Sequence, residues 1–299
     1  MNRWLQIPKI PELRNRILTV LGLLGVYRVL AAIPVPGVDV ERIRQFTEGN
    51  QIFALFDVFS GGGFSNFSLV MLGVGPYITA SIIMQLFTMI VPSLNALYKE
   101  EGEAGRQKFN QYTRMLTVPL AIIQAISMIT LFRSNGVIGD ISRLEILSII
   151  ALITAGTMLL MWIGELITNV KIGNGVSLII FAGIIAGLPV QLSVFWVNFQ
   201  QSDIPIYALY LAITLAVIYA VVFITEGQRN IPISYSKGAR GAFGSKVDTY
   251  LPLKVNQAGV IPIIFAVSLM VFPQMIAQFA LQAGLGWDWV GTTAQFIND

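Results

Sequence analysis

The side chains that most often carry out catalysis are absent or isolated in this sequence. Its 299 residues include neither histidine nor cysteine, which excludes imidazole bases, thiolate nucleophiles and zinc sites built on either ligand. There is no Gly-x-x-x-x-Gly-Lys-Ser/Thr loop to hold nucleotide phosphates. Arg28 and Glu165 are the only candidates for an ionisable residue at membrane depth. The sequence therefore predicts no enzyme, no metal site and no cofactor.

Ion coupling is the chemistry that Arg28 and Glu165 could still perform. A secondary transporter usually needs such a residue at membrane depth. Arg28 lies mid to late in its run and Glu165 closes another, so an interhelical or interfacial structural role is favoured for each. An intramembrane protease is disfavoured, because no paired aspartates and no Ser-Lys pair occur in the runs. A secondary transporter of a small solute stays open as the alternative function.

Long apolar runs dominate the chain. Apolar and aromatic residues make up 55% of it and charged residues 12%, and the mean hydropathy is +0.71. A hydrocarbon core of ~30 Å needs roughly 20 apolar residues per helix. Runs of that length predict an all-α membrane protein, a polytopic bundle of transmembrane helices rather than a barrel. The seven predicted spans are 17–36, 70–92, 114–132, 147–168, 175–198, 207–225 and 257–281.

Basic residues divide unevenly between the two sides of the predicted bundle. With the N-terminus in the cytoplasm, fourteen of the nineteen lysines and arginines lie on the cytoplasmic side, and four lie outside. Cytoplasmic loops of membrane proteins carry this excess. The sequence therefore predicts a cytoplasmic N-terminal segment at 1–16. Topology also explains the net charge of +3, so nucleic-acid binding is not predicted.

Two predicted cytoplasmic loops, 93–113 and 226–256, are long and polar enough to protrude. The first carries a mixed-charge run whose two glycines fit a turn, and the second mixes glycine, serine, proline and basic residues. Both could dock a partner. Both could equally be solvated loops that only follow the charge rule.

The segment between the first two spans, 34–69, is irregular. A Pro-Val-Pro-Gly run ends the first span, and the apolar stretch 52–59 is helix-like but too short to cross a membrane. Three glycines follow it. This pattern predicts a discontinuous or re-entrant element, which needs protein or a water-filled cavity around it. An interfacial helix lying flat on the outer leaflet fits the periodicity as well.

Apolar and small polar residues recur at helical spacing on three of the spans. Val74, Ile78, Ser81 and Gln85 share one face of the second span, and similar stripes lie on the fifth and seventh. Taken singly, each stripe indicates ordinary helix packing more often than a pore lining.

Seven groups of residues, in order along the chain, carry a family resemblance. They read IPVPG at 33–37, FSGG at 59–62, GPYITASII at 75–83, EGEAGR at 101–106 with QYTR at 111–114, GTMLLMWIGE at 156–165, IGNG at 172–175 with FAG at 181–183, and LPLKVNQAGVIP at 251–262. Together they resemble the SecY/Sec61α family, the channel-forming subunits of the Sec protein translocase. They cover nearly the whole chain.

The resemblance implies a protein-conducting channel in the bacterial cytoplasmic membrane. Such a channel passes unfolded secretory polypeptides and releases transmembrane segments sideways through a lateral gate. It implies a plug half-helix at about 52–68, before the second span. The implied plug residues are Phe56, Asp57, Phe59, Ser60, Gly61, Gly62 and Gly63; the implied pore ring is Val74, Ile78, Val176, Ile180 and Ile264; and the implied lateral-gate residues are Ser81, Gln85, Gln124 and Asn256.

The resemblance also implies partners and a longer subunit. The two cytoplasmic loops would receive the SecA motor ATPase or the ribosome through Lys99, Arg106, Lys108, Arg229, Lys237, Arg240 and Lys246. SecE, SecG, signal sequences, nascent polypeptides and membrane lipids are the other expected partners. The family has ten spans, so we expect a C-terminally truncated chain. Residues 17–198 would then be the first half of the channel and 199–299 part of the second.

Overall fold

The computed structural model of this chain describes residues 10–36, 38–48, 53, 57, 60–139, 141–197, 200, 204–233 and 249–255. These residues fall in two compact units, 10–193 and 194–255. In the first unit the helices are α1 (Pro11–Ala32), α2 (Val40–Glu48), α3 (Gly75–Ile90), α4 (Pro92–Lys99), α5 (Gly102–Ser134), α6 (Arg143–Asn169) and α7 (Gly175–Val197), the last of which runs across the boundary.

Prolines determine where two of these helices end. The residue before a proline is disfavoured in the helical conformation, because the proline ring clashes with its backbone. Ile33, before Pro34, is extended (φ −85°, ψ 109°) and ends α1. Val91, before Pro92, is also extended (φ −104°, ψ 108°) and separates α3 from α4, which meet at a bend of 110°.

The prediction of an irregular loop at 93–113 is wrong, because most of this stretch is helical. α4 and the first turns of α5 fill it, and only residues 100–101 lie between them. Gly102 has a φ of +62° and makes the turn, where no other atom is close. Gly105 lies inside α5, where an added Cβ would come 2.0 Å from the Leu97 carbonyl oxygen. One glycine turns the chain and the other lets two helices touch.

Several helices have the length and composition of membrane spans. In the described part of the chain these are α1, α5, α6 and α8 (Ile204–Glu226), and the bent pair α3–α4 adds a fifth if it counts as one span. The apolar α7 lies at the predicted span 175–198, but its apolar stretch Gly175–Val190 is shorter than a span. The mostly helical, multi-pass architecture is therefore confirmed, with four of the seven predicted spans, or five with the bent pair, long and apolar enough to cross a membrane. The seventh, 257–281, lies outside the described residues.

The second unit contains α8 and an antiparallel hairpin that the sequence analysis did not predict. None of the described residues of α8 is buried in this unit. The hairpin pairs β1 (Gln228–Ile233) with β2 (Thr249–Lys254), in the register Gln228↔Lys254 to Ile233↔Thr249. It lies within the predicted loop 226–256 and brings the two ends of that loop together.

Two apolar clusters hold the first unit together. One, built around five phenylalanine rings, joins α2, the turns at 60–74, the end of α5 and the start of α6. The other joins α1, α6, α7 and the start of α3. Both clusters contact the turns at 60–74, so the irregular segment lies inside the helical unit.

Candidate functional site

The predicted plug glycines form the buried end of a short helical segment. Phe53, Asp57 and Ser60 are helical, and Gly61 has a φ of +67°, in the left-handed region that favours glycine. The Gly62 N–H donates to the Asp57 carbonyl oxygen at 2.9 Å, which is the six-residue closure of a Schellman motif. The helical segment thus ends where the glycines predicted a break.

Side chains from the same segment secure the turn that follows. The Ser60 hydroxyl accepts from the Phe64 N–H at 2.9 Å, and the Asp57 carboxylate accepts from the Ser65 N–H at 2.7 Å. Ser60, Gly61 and Gly63 are buried. Phe56 and Phe59, the other predicted plug residues, lie outside the described residues.

Two adjacent residues of α1 bind the end of this segment. The Tyr27 hydroxyl donates to the Ser60 carbonyl oxygen at 2.8 Å, and the Arg28 guanidinium donates to the Gly61 carbonyl oxygen. Tyr27 is only 1% exposed. We call these two hydrogen bonds the α1 clasp. The Arg28 bond is a contact between segments of the structural kind predicted for it, and sequence reasoning missed Tyr27.

A pair of glycines brings the segment into backbone contact with α7. A Cβ added at Gly61 would lie 2.7 Å from the Gly183 Cα and 2.4 Å from the Tyr27 hydroxyl. A Cβ added at Gly183 would lie 3.1 Å from the Gly61 nitrogen. Gly183 belongs to the FAG group at 181–183, but the sequence did not indicate what it contacts.

The end of α1 fixes the turns further along the segment. The Val35 N–H donates to the Phe67 carbonyl oxygen at 2.9 Å, and the Leu69 N–H donates to the Ile33 carbonyl oxygen at 3.2 Å. Pro34 and Ser68 form an isolated antiparallel bridge. Phe67 has a φ of +44°, which is rare for a residue with a side chain and shows how strongly its surroundings hold it.

An aromatic cluster of Phe46, Phe53, Phe64, Phe67 and Phe132 covers the other side of the segment. Phe53 stacks on Phe64 with ring centroids 5.6 Å apart, and Phe132 contacts Phe46, Phe64 and Phe67 at 5.7–5.8 Å. Sequence reasoning missed this cluster. Its rings come from separate segments, so no periodicity reveals it.

Four of the five predicted pore-ring residues meet in one apolar cluster, here called the ring cluster. Val74 is 4% exposed, and Ile78, Val176 and Ile180 pack against the cluster with their side chains partly buried. Ile264 lies outside the described residues. The other buried members of the ring cluster are Val20, Tyr27, Ala31, Val70, Leu160, Ile163, Ile167 and Ile179.

Three of the four predicted lateral-gate residues lie on two helices that pack together, α3 and α5. Ser81 on α3 and Gln124 on α5 are half-buried, and Gln85 on α3 is exposed. Among the described residues, no hydrogen bond joins these three side chains. Asn256 lies outside the described residues, so the predicted gate stays a prediction.

The other intramembrane candidate, Glu165, forms an ion pair between helices. The Arg114 Nε of α5 lies 2.5 Å from the Glu165 Oε1 of α6, and both side chains are half-buried. The predicted interhelical role is therefore confirmed. In the described part of the chain, no group of acidic residues could hold a metal ion.

The described docking candidates are exposed basic residues. In the first unit, Lys99 ends α4, and Arg106 and Lys108 lie in the first turns of α5; Lys108 lies 3.7 Å from Glu101. In the second unit, Arg229 lies on β1 opposite Leu253. The remaining candidates, Lys237, Arg240 and Lys246, lie outside the described residues.

Comparison with known proteins places this architecture in a family. The family model for SecY matches residues 68–298. The protein translocase subunit SecY of Buchnera aphidicola subsp. Acyrthosiphon kondoi is 44% identical over 297 residues, which are 96% of this chain and 83% of that protein. This chain belongs to the SecY family. The SecY subunit of Escherichia coli K12 is 43% identical over 297 residues, again 96% of this chain but 66% of that protein.

A solved SecY structure has the same fold. It concerns a SecY whose plug domain stabilises the closed state of the translocation channel and maintains a membrane seal. It matches with a TM-score of 0.56 and 21% identity, over 89% of this chain and 58% of that chain. The chain thus spans less than two thirds of the length of that SecY.

The SecY family match begins at Ser68 and so leaves out the α1 clasp. It includes the ring-cluster residues of α3 and α7, and the predicted seventh span. The two SecY relatives align over 96% of the chain, so their similarity also extends upstream of Ser68.

Proposed function

We propose that this chain forms part of a protein-conducting channel that passes unfolded secretory polypeptides across the bacterial cytoplasmic membrane. Membership of the SecY family supports this proposal, and the relatives that match it are bacterial protein translocase subunits. The observation that carries it is the meeting of apolar residues from α3 and α7 in the ring cluster. The glycine-rich end of the short segment lies against the same helix, α7, at Gly183.

The chemistry of the ring residues suits a seal rather than an ion filter. Val74, Ile78, Val176 and Ile180 are apolar and branched at Cβ. A narrow constriction of such side chains resists wetting and so holds back ions when it is empty. It can also form a soft gasket around an extended polypeptide. The predicted fifth contribution is Ile264, from the seventh span.

The short segment that ends at Gly61–Gly63 is the proposed plug. It is enclosed by α1, α7 and the aromatic cluster, which supports a re-entrant element over an interfacial helix. The solved SecY that shares this fold has a plug domain that maintains a membrane seal. In this chain the plug would close the channel at rest and move aside when a polypeptide enters.

Release into the membrane would use a lateral gate between α3, with α5 beside it, and the predicted seventh span. A transmembrane segment gains about 0.8 kcal/mol for each CH₂ moved from water to lipid, which favours sideways exit once the gate parts. Ser81, Gln85, Gln124 and Asn256 would tune this parting, since a polar group that faces lipid without a partner is costly.

The energy for transport must come from a partner, since the sequence has no nucleotide loop. The exposed Lys99 and Arg106 at the α4–α5 turn, together with the β1–β2 hairpin, are the proposed docking surfaces for the SecA motor or the ribosome. SecE and SecG would complete the membrane complex. Arg28 and Glu165 both have partners, so nothing favours the transporter alternative.

Site-specific photocrosslinking tests the channel directly. We expect a photoreactive group at Ile78, in the assembled membrane complex, to label a stalled secretory precursor. Trp162 is the control, because it is 63% exposed and lies on the side of α6 opposite to the ring-cluster residue Leu160. Labelling at Ile78 that is no stronger than at Trp162 would count against the proposed function.

A further inference from the structure

The α1 clasp places a charged side chain where a charge is costly. Arg28 lies within the apolar span α1, and a guanidinium at membrane depth needs a polar partner. Its partner here is the Gly61 carbonyl oxygen, and the preceding carbonyl, at Ser60, accepts from Tyr27. The last carbonyls of a helix have no partner within the helix. Two adjacent residues of α1 thus satisfy two carbonyls at the end of the proposed plug.

We propose that Tyr27 and Arg28 are positioning residues that hold the plug in its resting place, so that the seal of the idle channel depends on the α1 clasp. This inference rests on the proposed channel function. The clasp acts on the buried end of the plug, next to the glycines, and not on the ring residues themselves. Loss of either hydrogen bond shifts the plug toward the displaced position without removing any apolar side chain from the ring cluster.

The close Gly61–Gly183 contact makes the two hydrogen bonds of the α1 clasp sensitive to the distance between the plug and α7. The segment fits between Tyr27 and α7 because Gly61 has no side chain, and Gly183 leaves little room for one. A methyl group at Gly183 would lie 3.1 Å from both the Gly61 nitrogen and the Tyr27 hydroxyl, which is closer than nearly all such contacts. Gly183→Ala therefore requires Gly61 or Tyr27 to shift by a few tenths of an ångström while both hydrogen-bond donors are still present.

The ion leak of the idle channel is the readout that separates this role from a purely structural one. The assembled membrane complex carrying Arg28→Gln or Tyr27→Phe is reconstituted in proteoliposomes, and ion flux is measured without substrate. A hydrogen bond to a charged group stabilises enough to change an equilibrium by about tenfold, and a neutral one by about fivefold. We expect leaks raised roughly tenfold for Arg28→Gln and roughly fivefold for Tyr27→Phe.

Matched controls and a rescue complete the design. Arg143→Gln and Tyr210→Phe remove the same groups from exposed positions on α6 and α8, and their leak should equal that of the wild type. Arg28→Lys keeps a cationic donor and should restore part of the seal. Gly183→Ala should leak more than the wild type but less than Arg28→Gln, because the contact it tightens can be relieved by a small shift.

Translocation of a secretory precursor, measured in the same vesicles, distinguishes a failure of the α1 clasp from a failure of the proposed channel function. If the wild-type complex translocates and the variants leak no more than the controls, the proposed role of the α1 clasp is overturned. A wild-type complex that translocates nothing overturns the proposed function instead. Should Arg28→Gln fail to assemble, Tyr27→Phe decides, because it removes only one hydroxyl group.

Discussion

At the scale of single residues, the two candidates for ion coupling both serve as links between segments. Arg28 binds the end of the short segment, and Glu165 pairs with Arg114 across α5 and α6. A charge at membrane depth is tolerated when a partner of opposite charge or a carbonyl compensates it. Both residues meet this condition.

Glu165→Gln should destabilise the protein by roughly 1–3 kcal/mol, between the values for exposed and buried pairs, because it leaves Arg114 half-buried without its partner. Thermal unfolding in detergent measures the loss. Glu12→Gln, which breaks the more exposed pair with Arg16, should have a smaller effect. If Arg114→Gln and Glu165→Gln add fully in the double variant, the pair is not coupled.

At the scale of elements, helices approach one another where glycines replace side chains. A Cβ added at Gly156 of α6 would lie 1.9 Å from the Leu69 carbonyl oxygen, and one at Gly175 of α7 would lie 1.8 Å from the Gly164 carbonyl oxygen. These contacts set how deeply the turns at 60–74 sit against α6, and how α6 and α7 meet. Small residues allow such close packing between membrane helices.

Gly156→Ala should therefore destabilise the protein by about 1–3 kcal/mol, because backbone cannot easily move away from the added methyl group. Gly187→Ala is the matched control, since nothing lies within 4 Å of a Cβ added there on α7. We expect Gly187→Ala to be neutral or slightly stabilising, because alanine favours a helix more than glycine does. Equal melting temperatures for the two variants would contradict the close contact.

At the scale of the whole molecule, the described chain is mostly helical, and its first unit holds an irregular segment among its helices. Membership of the SecY family and the fold shared with a solved SecY agree with this architecture. The orientation rests on charge alone, since fourteen of the nineteen basic residues lie on one side of the predicted topology. It therefore stays a prediction.

The absence of cysteine makes this orientation simple to test. Lys108→Cys, in the first turns of α5, should react with a membrane-impermeant maleimide only from the cytoplasmic side. Asn135→Cys, at the other end of the same helix, should react only from outside. Both positions are exposed. Labelling of both cysteines from the same side of sealed vesicles would show that α5 does not cross the membrane as predicted.

The loop prediction at 93–113 shows the limit of reading polarity as structure. Charge and two glycines indicated a turn, and Gly102 does make one. The rest of the stretch is helical. Polarity did not reveal this, since polar residues are as compatible with an exposed helix, such as the start of α5, as with a loop. The β1–β2 hairpin was missed for a related reason, since its pairing joins the two ends of the predicted loop, which are far apart in the sequence.

The sequence by itself determined the membrane class, four spans that the structure confirms with a fifth if the bent α3–α4 pair counts as one, and the helix break at Gly61–Gly63. These follow from local properties, namely runs of apolar residues and the conformational preferences of glycine and proline. Only the tertiary structure decided that Tyr27 and Arg28 bind the end of the short segment, that Gly183 lies against Gly61, and that five phenylalanines gather beside it. Those contacts join residues far apart in the chain, and no local pattern specifies which distant partner a side chain will meet.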